Sequence, residues 1–192
     1  EMQEIFSVEN LPTGMVNRIG KGNNTHLIDH TAWGDVVVSE LEKEAIFEIT
    51  LSSNIINDNG NISVKVKALD NFSGQYNIVL CLIEDSIINW QLENDEDIEF
   101  YQHDHVLRTV LNTTIGDPIG TSFTNEYSWE EQYPVNLNVL EQDNIDYSQN
   151  TLSSNGNCGG WIADNMGVVA YIYNVSTEEI VQAEEIHLTN NH

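Results

Sequence analysis

Basic residues are scarce in this chain. Only 6 Lys plus Arg stand against 31 Asp plus Glu among 192 residues, which gives a formal net charge of −25 at pH 7. Such a charge repels phosphate backbones and anionic lipid surfaces. We therefore expect no binding of nucleic acid and no docking on an anionic membrane. We expect no organic cofactor either, although calcium could occupy weak carboxylate sites.

Long apolar runs and familiar catalytic motifs are also missing. No stretch approaches the roughly 20 apolar residues that span a bilayer, so we expect this part of the protein not to cross a membrane. No secretory leader opens the chain, which we expect to be a fragment of an exported protein after leader removal. The sequence has no GxSxG, HExxH, Walker A or dinucleotide motif. Neighbouring carboxylates arise by chance among so many acidic residues and indicate no catalytic pair.

Cysteine is limited to two residues, Cys81 and Cys158. Cys81 lies in an apolar run, where a buried thiol is expected, and Cys158 lies in a Gly-rich loop. Whether the two residues form a disulfide is left undecided, because the sequence does not show whether their Cα atoms approach within about 7 Å. The absence of a CxxC motif argues against a redox dithiol or a zinc knuckle.

What is present is mainly β-patterned sequence. Apolar and polar residues alternate on both sides of the turn at Asn57–Asn61, which predicts a hairpin. A nearly continuous apolar run predicts a central strand that is covered on both faces. About eight strands separated by turns favour an antiparallel β-sandwich of jelly-roll or immunoglobulin-like type. The clearest predicted strands cover residues 46–51, 62–68, 76–84, 168–173 and 180–188.

One helix is predicted, in a short N-terminal appendage. Apolar residues follow Trp33 at i+3, i+4 and i+8, and Asp29 or Thr31 could cap the helix. Further along, residues 85–99 indicate a long acidic loop. Residues 121–140 indicate strand-like segments.

Reactive side chains crowd together at one place, His103-Asp104-His105-Val106-Leu107-Arg108. Alternation up to His105 predicts that His103 and His105 share one face of a strand. From Val106 onward both a helix and a strand fit the spacing. Two imidazoles on one face can bind a metal, but a metal needs at least a third ligand. One hypothesis is therefore a metal-dependent hydrolase that uses His103 and His105.

A structural role for this cluster is favoured. A scarce arginine such as Arg108 beside an apolar run is typical of a clamp on a carboxylate. Trp90 and Trp129 fall in predicted loops or at strand ends. Burial there would fill the sandwich, whereas exposure would suit a sugar or a protein partner. A carbohydrate-binding module is the third hypothesis, and the candidate binding residues are His103, His105, Arg108, Trp90 and Trp129.

Three segments together carry a family resemblance. They are residues 11–18 followed by Trp33, the central Gln102–Arg108, and the closing 168–173 with 181–184. The chain resembles the twenty-eight-kilodalton outer-membrane lipoprotein family of the Bacteroidetes.

Members of that family resemble a thioredoxin-like domain followed by a β-sandwich. The resemblance implies that residues 1–43 are a remnant of the thioredoxin-like part or a linker, with Pro12 at the position of the loop proline. Residues 44–192 would be the sandwich. Redox cysteines would lie upstream of this segment. The implied function is a non-catalytic binding or structural module, a surface adhesin or receptor of the cell envelope, with a protein or glycan partner.

Overall fold

The computed structural model describes residue 6 and residues 14–20, 26–93, 96–150 and 159–191. In these residues the chain forms eleven strands, two α-helices and two single-turn 3-10 helices, the latter at His30–Ala32 and Ala163–Asn165. The α-helices are α1 Trp33–Leu41 and α2 Leu137–Asn150. The strands are β1 Phe47–Ile56, β2 Asn59–Ala68, β3 Phe72–Glu84, β4 Ile87–Glu93, β5 Glu96–His103, β6 Val106–Val110, β7 Asp117–Phe123, β8 Ser128–Asn136, β9 Met166–Asn174, β10 Ile180–His187 and β11 Asn190–Asn191.

Two sheets form a sandwich. The first has the order β11-β1-β2-β8, and the second has the order β10-β9-β3-β6, with β7 also paired to β3. The short β11 runs parallel to β1, and the other strand pairs are antiparallel. The predicted antiparallel β-sandwich is confirmed.

The core lies between the two sheets. Alternate side chains of β1 and β2 meet alternate side chains of β3 and β9, as period-two strands require. At one end the Phe47 ring makes edge-to-face contacts with Phe72, Tyr76 and Phe123, each with ring centroids 5.1 to 5.2 Å apart. Burying a side chain of this size contributes about 1.5–3 kcal/mol. The apolar residues that alternate along the strands are therefore the ones that fill the core.

The two predicted hairpins and the central strand are confirmed. Asn57 and Asp58 connect β1 to β2 with φ of 48° and 64°, the left-handed pair that a tight type I′ turn needs. β9 and β10 form the second hairpin. β3 lies between β9 on one edge and β6 with β7 on the other, and residues 76–84 are almost all buried.

The predicted helix is also confirmed, as α1. The Asp29 Oδ1 atom accepts the Thr31 N–H at 2.9 Å and caps the 3-10 turn that leads into it. Trp33 donates its indole N–H to the Ile28 carbonyl at 2.9 Å, which fixes the first turn of α1.

The N-terminal appendage contacts the outer face of the second sheet. Arg18 donates to the Tyr171 hydroxyl at 2.8 Å, and its guanidinium lies over the Tyr171 and Tyr173 rings. The Ile180 N–H donates to the Asn17 carbonyl at 2.8 Å. The division into residues 1–43 and 44–192 stays a prediction.

The strand assignment for the end of residues 121–140 is wrong. β8 ends at Asn136, and α2 begins at Leu137. The Asn136 Oδ1 atom accepts the Val139 N–H at 3.0 Å, which is the hydrogen bond of a helix N-cap. Residues 135–140 thus combine the end of a strand with the first turn of a helix.

The acidic loop predicted for residues 85–99 is instead the hairpin β4–β5. Its strands alternate, but the acidic residues around the turn obscure that pattern in the sequence.

Two sequence-based predictions fall outside the described residues, those on Pro12 and Cys158. Cys81 is a free cysteine, half-buried on the outer face of β3, and burial raises the pKa of its thiol. In the described part of the chain, no helix has the length and apolar content that crossing a membrane requires.

Candidate functional site

The hairpin β4–β5, called the arm below, stands apart from the sandwich. Its two strands pair only with each other in the described structure, and at about 3.4 Å per residue they extend roughly 25 Å. Ile88, Trp90, Leu92 and Phe100 are 56%, 53%, 51% and 75% exposed. The first three occupy alternate positions and so share one face of β4. The arm therefore carries an exposed apolar stripe.

The arm joins the second sheet through two left-handed residues, Ser86 and His105, with φ of 59° and 54°. Each is held by an aspartate from the opposite junction. The Asp104 Oδ1 atom accepts the Ser86 N–H at 2.8 Å, and the Asp85 Oδ1 atom accepts the His105 N–H at 2.6 Å. We call these four residues the arm base. Non-glycine residues at positive φ are uncommon and often mark functional sites.

Two acidic partners surround the His105 ring. Nε2 lies 3.1 Å from the Glu185 Oε2 atom, and Nδ1 lies 3.4 Å from the Asp85 Oδ1 atom. The hydrogen bond to Glu185 raises the pKa of His105 above its usual value. The pKa of Asp104 is lowered, chiefly because its carboxylate accepts the Ser86 N–H. The arm base thus favours the protonated, charged form of the His105 imidazole.

Arg108 forms an ion pair with a buried carboxylate. Its Nε atom donates to the Glu84 Oε2 atom at 2.7 Å, and the Glu84 side chain is 2% exposed. The Glu84 Oε1 atom accepts the Ile162 N–H at 2.9 Å. The guanidinium also lies 5.8 Å from the centre of the Trp161 ring. The carboxylate pairing predicted for Arg108 is therefore present, inside the fold beneath the arm base.

The remaining candidate residues are separated. His103 ends β5, pairs with Ile87, and places its ring 4.9 Å from the Tyr101 ring. Trp129 lies in β8 of the first sheet, opposite Val66, and packs against the core. The structure thus brings Trp90, His103 and His105 to the arm and its base, and leaves Trp129 in the sandwich.

Sequence reasoning missed one group of side chains. Among the described residues, Asp85, Glu185 and His187 form the one group of three or more His, Cys, Asp or Glu ligand atoms that all lie within 4.8 Å of one another. Their local signals were visible, because Asp85 directly follows a predicted strand and Glu185 and His187 alternate within another. Their proximity depends on the pairing of β3, β9 and β10, which is not local in sequence.

Comparison with known families gives a match over most of the chain. The family described as "Outer membrane protein Omp28" matches residues 1–149. The chain belongs to this Omp28 family. Omp28 is an outer-membrane lipoprotein family of the Bacteroidetes, so the chain is a cell-envelope protein. No curated protein sequence matches it.

Two solved structures are similar to this Omp28 chain. "HBP35 of Porphyromonas gingivalis" aligns with a TM-score of 0.69 at 14% identity, covering 97% of this chain and 55% of the other. A domain of the outer membrane lipoprotein Omp28 from Porphyromonas gingivalis aligns with a TM-score of 0.45 at 19% identity, covering 78% of this chain and 93% of the other. The chain thus spans about half the length of HBP35, and that likeness shows the fold.

Proposed function

We propose that this Omp28 chain is a non-catalytic binding module, a surface adhesin or receptor whose arm binds a protein partner. The exposed apolar side chains of Ile88, Trp90 and Leu92 on β4, together with the exposed Phe100 on β5, carry the proposal. Contiguous exposed apolar patches mark interaction sites. A hairpin that pairs with nothing else is marginally stable in water, so coverage by a partner would stabilise it.

The chemistry of the arm indicates the kind of partner. Residues 87–103 include five acidic residues and no Lys or Arg. Aromatic side chains dominate the binding energy at protein interfaces, and an acidic rim speeds association with a basic surface. The partner that fits is a protein whose apolar patch is bordered by Lys and Arg.

The two alternative functions find less support. The His103 ring lies against Tyr101 whereas the His105 ring faces Glu185, so the two imidazoles have different neighbours. That separation disfavours a hydrolytic centre built on this pair. Trp90 and Trp129 lie on different sheets, so they do not form one stacking platform for a sugar.

The fixed orientation of the arm also supports a binding role. The reciprocal hydrogen bonds of Asp85 and Asp104 hold both junctions in left-handed conformations, at a cost of roughly 1–3 kcal/mol for each such residue. A strained junction that is held by two side chains fixes the direction in which the arm leaves the sheet. A preoriented arm loses less entropy when it binds.

Site-specific cross-linking in the native envelope tests the proposal. A photoreactive phenylalanine analogue is introduced at position 90 or 100 of the full-length protein in its bacterial host. We expect the same discrete protein adduct from both positions, and we expect its yield to fall as salt is raised in isolated envelopes. Mass spectrometry of the adduct then shows whether the contacted surface is basic.

Val139 offers a matched control, because it is 53% exposed but lies on α2, outside the arm. The proposal predicts no such adduct from position 139. The same adduct from Val139, or none from either arm position, contradicts it. Glycan-array binding with quenching of Trp90 fluorescence, in the absence of a protein adduct, would replace the proposal by the carbohydrate-binding alternative.

A further inference from the structure

A mixed set of metal-ligating groups lies on the outer face of the second sheet, beside the arm base. Glu185 and His187 alternate on β10 and therefore share one face. Asp85 follows β3 and is placed by its N–H, which donates to the Asn165 carbonyl at 3.0 Å. One imidazole and two carboxylates from distant parts of the sequence thus converge.

The sheet register explains why these side chains meet across β9. His187 pairs with Gly167 on β9, and Gly167 pairs in turn with Ile83 on β3. Because Gly167 has no side chain, no β9 side chain projects at that position between β10 and β3. The Ile83 side chain lies close to Gly167, and the ligand atoms of Asp85, Glu185 and His187 lie within 4.8 Å of one another.

The distances fit one ion after a small adjustment. The three ligand atoms lie within 4.8 Å of one another. Around a tetrahedral zinc ion, two ligand atoms that are each about 2.1 Å from the metal are about 3.4 Å apart. The side chains are at least partly exposed, so they can rotate about their side-chain bonds and bring the ligand atoms closer by about 1 Å.

The donor set favours a transition metal over calcium. Calcium takes six to eight oxygen ligands, and this group offers two carboxylates and an imidazole. An imidazole with carboxylates suits zinc, iron, nickel or copper. Asp85 and Glu185 also repel each other, and a divalent cation between them would relieve that repulsion more fully than the His105 ring does.

We propose that Asp85, Glu185 and His187 bind one divalent transition-metal ion, with zinc as the reference ion. Water completes the coordination, and His105 orients the Glu185 carboxylate by donating a hydrogen bond to it, as groups around a metal site commonly do. Asp85 also accepts the His105 N–H at 2.6 Å, so the ion would tie the arm base to β10.

Titration of the metal-free full-length protein tests this site. After dialysis against a chelator, we expect calorimetry to show saturable binding of one Zn²⁺ per chain. His187→Ala and Glu185→Gln should each weaken that binding by about tenfold or more, because each removes one of three ligands. Equimolar Ca²⁺ should not displace the ion. Co²⁺ provides a second readout, since its visible absorption changes when the imidazole ligand is lost.

Glu184→Gln is the matched control, because it removes the same charge from the neighbouring position on the opposite face of β10. We expect it to leave the affinity for Zn²⁺ within about twofold of the parent protein. His30→Ala controls for removal of an exposed imidazole elsewhere. Thermal melts in chelator should show that every variant is folded.

Three results would overturn the proposal. The first is equal Zn²⁺ affinity in the parent protein and His187→Ala, and the second is an unsaturable uptake of several ions, as scattered carboxylates would give. The third is a Co²⁺ spectrum that His187→Ala leaves unchanged.

Discussion

Strand β3 and the arm follow one another in the chain, but they use their apolar residues differently. In β3, Ile78, Val79 and Leu80 are consecutive and fully buried, because both faces of the strand are covered. In the arm, which starts three residues after β3 ends, no described side chain is buried. Apolar surface that does not stabilise the fold is available for a partner, and the arm exposes such surface at Ile88, Trp90, Leu92 and Phe100.

The change from buried to exposed side chains takes place between two adjacent acidic residues, Glu84 and Asp85. Successive side chains of a strand point to opposite faces, so Glu84 turns inward to Arg108 while Asp85 reaches the surface at the arm base. The buried Glu84 carboxylate contributes to the stability of the sandwich through its ion pair with Arg108. The surface carboxylate belongs to the arm and to the proposed metal site.

The largest expected loss of stability follows from breaking the buried ion pair of Arg108 and Glu84. Arg108→Ala leaves the Glu84 carboxylate buried without its cation, and we expect the free energy of unfolding to fall by about 3–5 kcal/mol. Denaturant unfolding measures it. The double variant Glu84→Gln/Arg108→Met removes both charges while keeping an acceptor for the Ile162 N–H, and it should lose clearly less. A loss below about 1 kcal/mol in Arg108→Ala would show that the pair is not structural.

A smaller effect is expected where a hydroxyl supports the first sheet. Tyr133 donates to the Asp117 Oδ2 atom at 2.7 Å, and Asn112 donates to the same atom at 2.9 Å. Tyr133→Phe should lower the free energy of unfolding by about 1.5 kcal/mol, because Asp117 keeps one donor. An unchanged stability at neutral pH would contradict this assignment.

The same variant has a predictable pH dependence. Burial raises the pKa of Tyr133 above its ordinary value of 10. A raised pKa means that the neutral hydroxyl stabilises the fold below pH 10 and that this contribution is lost as pH rises further. The stability difference between the parent protein and Tyr133→Phe should therefore narrow in alkali.

The arm should tolerate substitutions that the core does not. Trp90→Ser and Phe100→Ser replace side chains that are 53% and 75% exposed, and we expect each to change the free energy of unfolding by no more than about 0.5 kcal/mol. Leu82→Ala, at a fully buried position, should cost about 2–5 kcal/mol. Thermal or denaturant unfolding of the three variants measures the contrast. Equal losses in the arm and the core would mean that the arm is part of the core.

The smallest expected effect is a pKa change at the arm base. In chelator, Glu185→Gln should lower the pKa of His105 measured by NMR, because the hydrogen bond to Glu185 is the main cause of its raised value. A raised folded-state pKa means that this contact stabilises the fold at low pH and that its contribution is lost as pH rises through that pKa. Glu184→Gln is the control, and an identical His105 pKa in parent and Glu185→Gln would refute the contact.

Local signals were enough to predict most of the sandwich. Alternation, the Asn57–Asp58 turn and the apolar run of β3 all act over a few residues, and the structure confirms them. Helix α2 was missed because Val135 and Leu137 continue the strand pattern. Its signal was Asn136, a residue that can end one element and cap the next.

The site was less predictable because it depends on contacts distant in sequence. The carboxylate partner of Arg108 was expected, but its identity as Glu84 follows from the pairing of β3 with β6. The convergence of Asp85 with Glu185 and His187 follows from three strands in register. The exposure of Trp90 could not be predicted, since its apolar neighbours would fit a buried strand equally well.

Native-state hydrogen exchange tests the central claim most directly, because it compares the arm and the sandwich in one unmodified molecule. Backbone amides open with free energies that range from near zero to that of global unfolding. We predict that amides of β4 and β5 exchange far faster than those of β3 and β9, with protection lost well below the global free energy of unfolding. Protection of the arm equal to that of β3 would contradict the account, since it would mean that the arm is part of the folded core and not a free binding surface.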